Sequence, residues 1–150
     1  MFEQKIRFLF VVFIACLSVG GLISTDIFLP ALRPMGVYYQ VDESAIQNVI
    51  AVFLIAIAVG QLIYGPISDS LGRKKTLLFG LVVWLFATVA IIYTAHFQSL
   101  LWLRFVQGVG ACSGIVLSRA IVSDLLDKDA AARLYLRVFP LWVHRLLLLL

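Results

Sequence analysis

Long apolar segments alternate with short polar ones along the whole chain. A helix that spans a bilayer needs roughly 20 apolar residues, and four segments meet that requirement. The predicted spans cover residues 8–32, 45–64, 76–95 and 100–122. Because the connections are short, neighbouring spans are expected to pack antiparallel. The pattern predicts an all-α polytopic membrane protein.

The polar connections carry signals that start or end helices. Pro30, Pro34 and Gly36 are expected to break the first span, and the sequence Ser-Ala-Ile-Gln at 44–47 offers a capping box for the second. Between the second and third spans, residues 65–76 contain Pro66 and two glycines, which permit a sharp reversal. This segment is predicted to form a tight hairpin.

The composition requires a membrane environment. Apolar residues make up 63% of the chain and charged residues 13%, with a mean hydropathy of +1.05, far above that of a soluble domain. The net charge of +4 is gathered at the ends of apolar segments, so no basic stripe is available for a nucleic acid. Cys16 and Cys112 lie in apolar runs without metal-ligand spacing, so they are interpreted as packing residues, and no cofactor is expected.

The distribution of lysine and arginine predicts the orientation. Two cations precede the first span, one lies in the first connection, three in the second and none in the third, with several more after the fourth span. Basic residues concentrate on the cytoplasmic side of membrane proteins. The N-terminus is therefore expected in the cytoplasm, with residues 124–137 forming an inner amphipathic connection.

The hairpin sequence Gly-Pro-Ile-Ser-Asp-Ser-Leu-Gly-Arg-Lys-Lys at 65–75 resembles the signature loop between helices 2 and 3 of the major facilitator superfamily of secondary transporters. That family usually has a cation directly after the aspartate, where this chain has Ser70. The resemblance implies a conformational switch, in which an inner charge network latches one access state. The residues it designates are Gly65, Asp69, Gly72, Arg73, Lys74 and Asp124. The alternatives are a loop that only fixes topology and a set of solvated interface charges.

Two ionisable residues fall inside predicted spans, where a charge is costly and commonly functional. At about 1.5 Å per residue, Asp26 would lie about 9 Å inside the outer end of the first span and Arg104 about 7 Å inside that of the fourth. At such similar depths the two side chains would be able to meet across a water-filled cleft. The alternatives are an ion pair that only joins two helices, or an arginine that snorkels outward.

Two further segments resemble one branch of that family. Thr-Asp-Ile-Phe-Leu-Pro-Ala at 25–31 resembles the first helix of drug:proton antiporters of the bicyclomycin/chloramphenicol-resistance type. Leu-Leu-Trp-Leu-Arg-Phe-Val-Gln-Gly-Val-Gly-Ala at 100–111 resembles the helix-4 motif of proton-coupled members, whose arginine is implicated in proton transfer. The resemblance implies that Asp26 is a protonatable acid of the proton or substrate site and that Arg104 is its partner.

Glycines in the fourth span have a packing interpretation. Gly108, Gly110 and Gly114 do not form a dinucleotide-binding fingerprint, because no strand precedes them and they lie inside a span. Gly110 and Gly114 instead give a pattern of small residues four apart, which lets another helix approach closely.

The sequence is therefore interpreted as the first four helices, with a stub of a fifth, of a 12-helix major facilitator fold. The resemblance implies proton-coupled multidrug efflux across the bacterial inner membrane, with protons and a small hydrophobic or amphiphilic drug as partners. A facilitator for a sugar or organic acid is the alternative within transport, and a truncated gene product without activity is a further alternative. A membrane-embedded hydrolase is disfavoured, because no Gly-x-Ser-x-Gly occurs and no histidine lies in a predicted span.

The resemblance extends over residues 1–141 and stops at residues 142–150. There the sequence Trp-Val-His-Arg followed by five leucines replaces the Gly- and Pro-rich fifth helix expected in this branch. A shifted reading frame or a premature end is one explanation for the anomalous tail. Because alternating access needs two opposed bundles, residues 1–150 alone are not expected to transport.

Cysteine labelling tests the predicted orientation. In a background without Cys16 and Cys112, a cysteine at Ser70 should react with a membrane-impermeant maleimide only after permeabilisation. A cysteine at Ser99 should react in intact cells, because it lies on the opposite side. Labelling of the Ser70 position in intact cells would reverse the orientation.

Overall fold

The computed structural model describes residues 16–17, 20–21 and 23–125, and the regular elements in that part of the chain are all helices. We number them α1 (Leu32–Tyr39), α2 (Glu43–Leu71), α3 (Arg73–Ile92) and α4 (Phe97–Leu125). The described residues before Ile27 are also helical. The described residues up to Ser118 form one compact unit, and the described residues from Arg119 onward belong to a second.

Three of these helices are long and apolar enough to cross a membrane. Their candidate spans are Glu43–Leu71, Arg73–Ile92 and Phe97–Ile121. These confirm the second, third and fourth predicted spans, and with them the all-α membrane class. Much of the first predicted span, and all of the tail at 142–150, lie outside the described residues.

The start of α2 differs from the predicted capping box. The cap is Asp42, whose Oδ1 accepts a hydrogen bond from the backbone N–H of Ala45 at 3.0 Å. Ser44 donates its hydroxyl to Oδ2 of the same carboxylate at 3.0 Å. A carboxylate at the N-cap satisfies an otherwise unpaired amide and favours the positive end of the helix. The aspartate therefore takes the role expected of the serine.

The predicted hairpin at 65–76 is wrong in its extent. Helix α2 continues through Pro66 to Leu71, and α3 begins at Arg73, so Gly72 alone joins them. Proline disfavours helical geometry in the residue before it, partly through a clash with that residue's Cβ. Gly65 has no Cβ, which removes that part of the clash, and it is a helix residue rather than a turn residue.

The reversal takes place at Gly72, whose φ of 91° and ψ of 141° are rarely open to other residues. Its N–H donates to the carbonyl of Ser68 and its own carbonyl accepts from the N–H of Thr76. Gly72 thus belongs to the hydrogen-bonding pattern of both helices, and this single residue provides the whole turn.

The first predicted span ends earlier than residue 32. Its helical residues stop at Asp26, and a turn follows over residues 27–31. In that turn the N–H groups of Phe28 and Leu29 donate to carbonyls three residues back, at 3.1 and 3.3 Å. Pro30 has no N–H to continue a regular helix. The chain then enters the short helix α1, which lies almost entirely in the predicted connection between the first two spans.

Helix α1 covers one end of the helix bundle, which we call the α1 end. Ile46, Val49 and Leu100 form a buried apolar cluster there. Residues of the turn, of α1 and of the neighbouring helix ends pack around it: Phe28, Leu32, Met35, Tyr39, Val41, Ile91, Phe97 and Leu101. The Tyr39 hydroxyl donates to the carbonyl of Thr94 at 2.9 Å, which links α1 to the connection between α3 and α4.

Glycines of α4 allow close contact with three other elements. A Cβ on Gly108 would lie 2.6 Å from the carbonyl oxygen of Phe53 in α2, and one on Gly110 would lie 2.8 Å from Cα of Trp84 in α3. A Cβ on Gly114 would lie 3.0 Å from the carbonyl oxygen of Leu17. Gly110 and Gly114 therefore face different neighbours, and α4 is the central helix of the described bundle.

Gly110→Ala should destabilise the protein, because the added methyl group meets the α3 backbone rather than a flexible side chain. Overpacking of this kind costs about 1–3 kcal/mol. The matched control is Gly36→Ala, whose Cβ would meet only the carbonyl oxygen of Val41 at an ordinary 3.6 Å. Thermal unfolding in detergent micelles, followed by circular dichroism, should show a lower Tm for Gly110→Ala alone. Equal Tm values would contradict the close α3–α4 packing.

Candidate functional site

The most costly buried group in the described bundle is the guanidinium of Arg104, in the second turn of α4. The side chain is fully buried, with 0% of its surface exposed. Its Cζ atom lies 3.6 Å from the ring centroid of Phe28 and 4.5 Å from that of Phe53. Aromatic faces attract a cation through their quadrupole, most strongly where water is excluded.

A hydrogen-bond chain leads from Arg104 to α3. Its Nη1 donates to Oε1 of Gln107 at 2.7 Å, and Nε2 of Gln107 donates to Oγ1 of Thr88 at 2.8 Å. The hydroxyl of Thr88 donates to the carbonyl of Trp84 at 2.7 Å. Neutral groups thus connect the guanidinium of Arg104 to the backbone of α3, and the last acceptor in the chain is the carbonyl of Trp84.

The other edge of the guanidinium has no partner among the described residues. Nε and Nη2 of Arg104 are buried and make no hydrogen bond there. A buried donor without an acceptor carries the full cost of its desolvation. These two nitrogens form the edge that pairs with a carboxylate through two parallel bonds, so the geometry is suited to an anionic group.

Asp26 is exposed, and no salt bridge joins it to Arg104 in the described part of the chain. The predicted depth assumed a helix to residue 32. Because the helical residues stop at Asp26, the carboxylate lies at the end of that segment, and Phe28 two residues later contacts the guanidinium instead. Their joint role in a proton site stays a prediction.

Sequence reasoning did not designate the side chains around Arg104. Gln107 has a local signal, because residues three apart share one face of a helix. Phe28, Phe53 and Thr88 come from three other segments, and their contact depends on how these segments pack. From the sequence of an apolar segment alone, a phenylalanine that contacts a cation cannot be distinguished from one that faces lipid.

At the end of the bundle opposite the α1 end, charged side chains flank Gly72. Nη1 of Arg73 lies 2.7 Å from Oδ1 of Asp69, across the glycine, and also donates to Oγ of the buried Ser68. We call Asp69, Gly72 and Arg73 the Gly72 hinge. Lys74 is exposed in the first turn of α3.

Asp124 lies near the last described residue of α4, in the second compact unit. Its predicted part in the same charge network stays a prediction. Among the described residues, no group of three or more histidine, cysteine, aspartate or glutamate side chains is arranged to hold a metal ion.

Comparison with known proteins assigns the family. The model of the Major Facilitator Superfamily matches residues 8–136. The chain belongs to the major facilitator superfamily. It is therefore a multi-pass membrane protein of a transporter family, and the resemblance drawn from the hairpin and the helix-4 motif is confirmed.

Similar members of the superfamily are named for drug resistance. The chain is 31% identical to a bicyclomycin resistance protein homolog of Haemophilus influenzae over 89% of this chain and 33% of that protein. It is 32% identical to multidrug resistance protein D of Escherichia coli, over 85% of this chain and 32% of that protein. A chloramphenicol resistance protein of Pseudomonas aeruginosa is 35% identical over 67% of this chain and 24% of that protein. The chain spans about a third of the length of the first two relatives.

Proposed function

We propose that this chain supplies the first helices of a drug:proton antiporter, in which proton entry drives export of a small hydrophobic or amphiphilic drug. The observation that carries the proposal is the fully buried Arg104, with two donors that no described residue accepts from. A cation kept in a membrane span is costly and commonly serves transport. The resistance named in three similar proteins supports a drug as substrate.

The proposed coupling uses an acid that alternates between two surroundings. A carboxyl group binds its proton more tightly in apolar surroundings and less tightly beside a guanidinium. Asp26 is the acid that we assign to this role. In the described conformation Asp26 is exposed, while Nε and Nη2 of Arg104 are buried and have no hydrogen-bond partner among the described residues. Movement of the turn at 27–31 would bring the two together and release the proton.

The remaining features follow the general plan of such transporters. Drug would bind near the middle of the bilayer between two opposed bundles, which rock about the site. The location would be the bacterial inner membrane, with the N-terminus in the cytoplasm. A facilitator for a sugar or organic acid is the competing function, and it would show no proton movement.

Asp26→Asn should abolish proton-driven drug transport, because the amide cannot carry the proton. The measurement uses a hybrid transporter in which residues 8–136 replace the matching segment of the Escherichia coli relative, reconstituted in proteoliposomes with a pH-sensitive dye. Arg104→Lys should lower transport at least about tenfold, since lysine keeps the charge but lacks the planar fork.

The matched control is Asp42→Asn. This second exposed acid at the α1 end caps α2, and asparagine caps a helix as well as aspartate does. Its transport should be close to that of the unsubstituted hybrid. Undiminished antiport by Asp26→Asn would assign Asp26 to packing, and transport without any proton movement would favour the facilitator.

The Gly72 hinge should control turnover and not drug affinity. In the same hybrid, Gly72→Val forces a branched side chain into a backbone conformation that glycine favours, and Asp69→Asn removes the ion pair with Arg73. Both should lower the rate of transport with little change in the drug Kd. Ser70→Ala, at an exposed neighbouring position, should behave as the unsubstituted hybrid. A large loss of affinity at normal turnover would contradict this role.

A further inference from the structure

In the hydrogen-bond chain from Arg104 to α3, the donor and the acceptor of every hydrogen bond are fixed. A guanidinium only donates, so Gln107 must turn its carbonyl oxygen toward Arg104. The amide NH₂ of Gln107 then faces Thr88 and needs an acceptor. The oxygen of Thr88 accepts, because its own hydrogen is directed to the carbonyl of Trp84.

The opposite orientation of the Gln107 amide is unfavourable. It would direct the NH₂ group at the guanidinium, so that two donors face each other beside a positive charge. Gln107 is only 4% exposed, which leaves little access for water to compensate. The guanidinium therefore selects the orientation of the amide, and an acceptor on the far side is needed to satisfy the NH₂ group and to hold the side chain in place.

Thr88 is suited to be that acceptor. Threonine in a helix commonly donates its hydroxyl to the carbonyl four residues back, and here that carbonyl belongs to Trp84. The back-bond fixes the hydroxyl hydrogen and leaves an oxygen lone pair free toward α4. Serine keeps this arrangement, whereas valine has the same shape without the oxygen.

The aromatic contacts complete the restraint on the guanidinium. Phe28 and Phe53 lie near Cζ of Arg104 at 3.6 and 4.5 Å, and Gln107 holds Nη1. The remaining edge, formed by Nε and Nη2, then has a fixed direction. An acid that pairs with Arg104 must approach that edge.

We propose that Thr88 is a positioning residue, which acts through Gln107 to hold the guanidinium of Arg104 in the orientation that meets an acid. The proposal deepens the proposed function, because it concerns the site through which proton movement is coupled. Loss of the Thr88 hydroxyl leaves the NH₂ group of Gln107 without its acceptor, so the side chain is held less firmly and its hydrogen bond to Nη1 of Arg104 weakens.

Hydrogen exchange of the Arg104 side chain tests this directly in the 150-residue chain purified in detergent micelles. Nuclear magnetic resonance follows exchange of its N–H hydrogens with water, and Arg104→Lys identifies the signal by its loss. Thr88→Val should speed exchange between about twofold and tenfold, the range expected for loss of one net hydrogen bond. Thr88→Ser should exchange at the unsubstituted rate. Equal rates for Thr88→Val and the unsubstituted chain, or equally fast exchange in both variants, overturn the proposal.

A second variant separates loss of the acceptor from general packing damage. Gln107→Glu presents carboxylate oxygens on both sides, so no NH₂ group remains that needs Thr88 as its acceptor. In that background, Thr88→Val should leave the Arg104 exchange rate unchanged. An acceleration as large as that seen with the native glutamine would mean that valine only loosens the helix contact, and would overturn the positioning role.

The hybrid transporter supplies the functional measurement. A poorly aligned guanidinium lowers the proton affinity of its acid less, so the pH midpoint of drug-driven proton release should move upward in Thr88→Val and return in Thr88→Ser. An unchanged midpoint beside accelerated exchange would overturn the link to coupling. If the hybrid moved no protons at all, the proposed antiport would be contradicted. The exchange measurement would still decide whether Thr88 positions Arg104.

Discussion

The arrangement of the described bundle depends on a guanidinium that water does not reach. Arg104 is fully buried, and in a bilayer the segments that cross have no water available to solvate it. Two aromatic rings and one oriented amide contact the cation, and its Nε–Nη2 edge has no hydrogen-bond partner in the part of the chain that the structure describes. This solution requires the turn at 27–31, α2, α3 and α4 to meet at one level.

Close helix contact is the condition for that meeting. The short hydrogen bond from Gln107 to Thr88 spans two helices, and such a distance requires that the α3 and α4 backbones approach closely. Gly110, one turn further along α4, permits this approach against Trp84. The glycines that appear in the sequence as a packing pattern are therefore also a condition for the polar chain.

Sequence patterning predicted the spans well and their ends less well. Hydropathy located α2, α3 and α4, because lipid imposes a long apolar run on any spanning helix. Two prolines gave opposite outcomes: Pro30 lies in a turn, whereas Pro66 lies inside α2 after a glycine, whose missing Cβ removes one part of the clash. Arg104 was designated from the cost of its charge. Its aromatic and hydroxyl contacts were not, because they arise only when separate segments pack together. The predicted depth of Asp26 assumed a helix that continues to residue 32, whereas the helical residues stop at Asp26.

Helix α2 has 29 residues and so measures about 44 Å at 1.5 Å per residue, while the hydrocarbon layer is only about 30 Å thick. A helix standing near the membrane normal would carry its Gly72 end beyond the acyl chains and into the layer of lipid headgroups. The Asp69–Arg73 pair would then sit among phosphates and counterions, where dissolved salt screens it and anionic lipids compete for the arginine. The lipid composition of that leaflet thereby becomes a determinant of how tightly the joint between α2 and α3 is held.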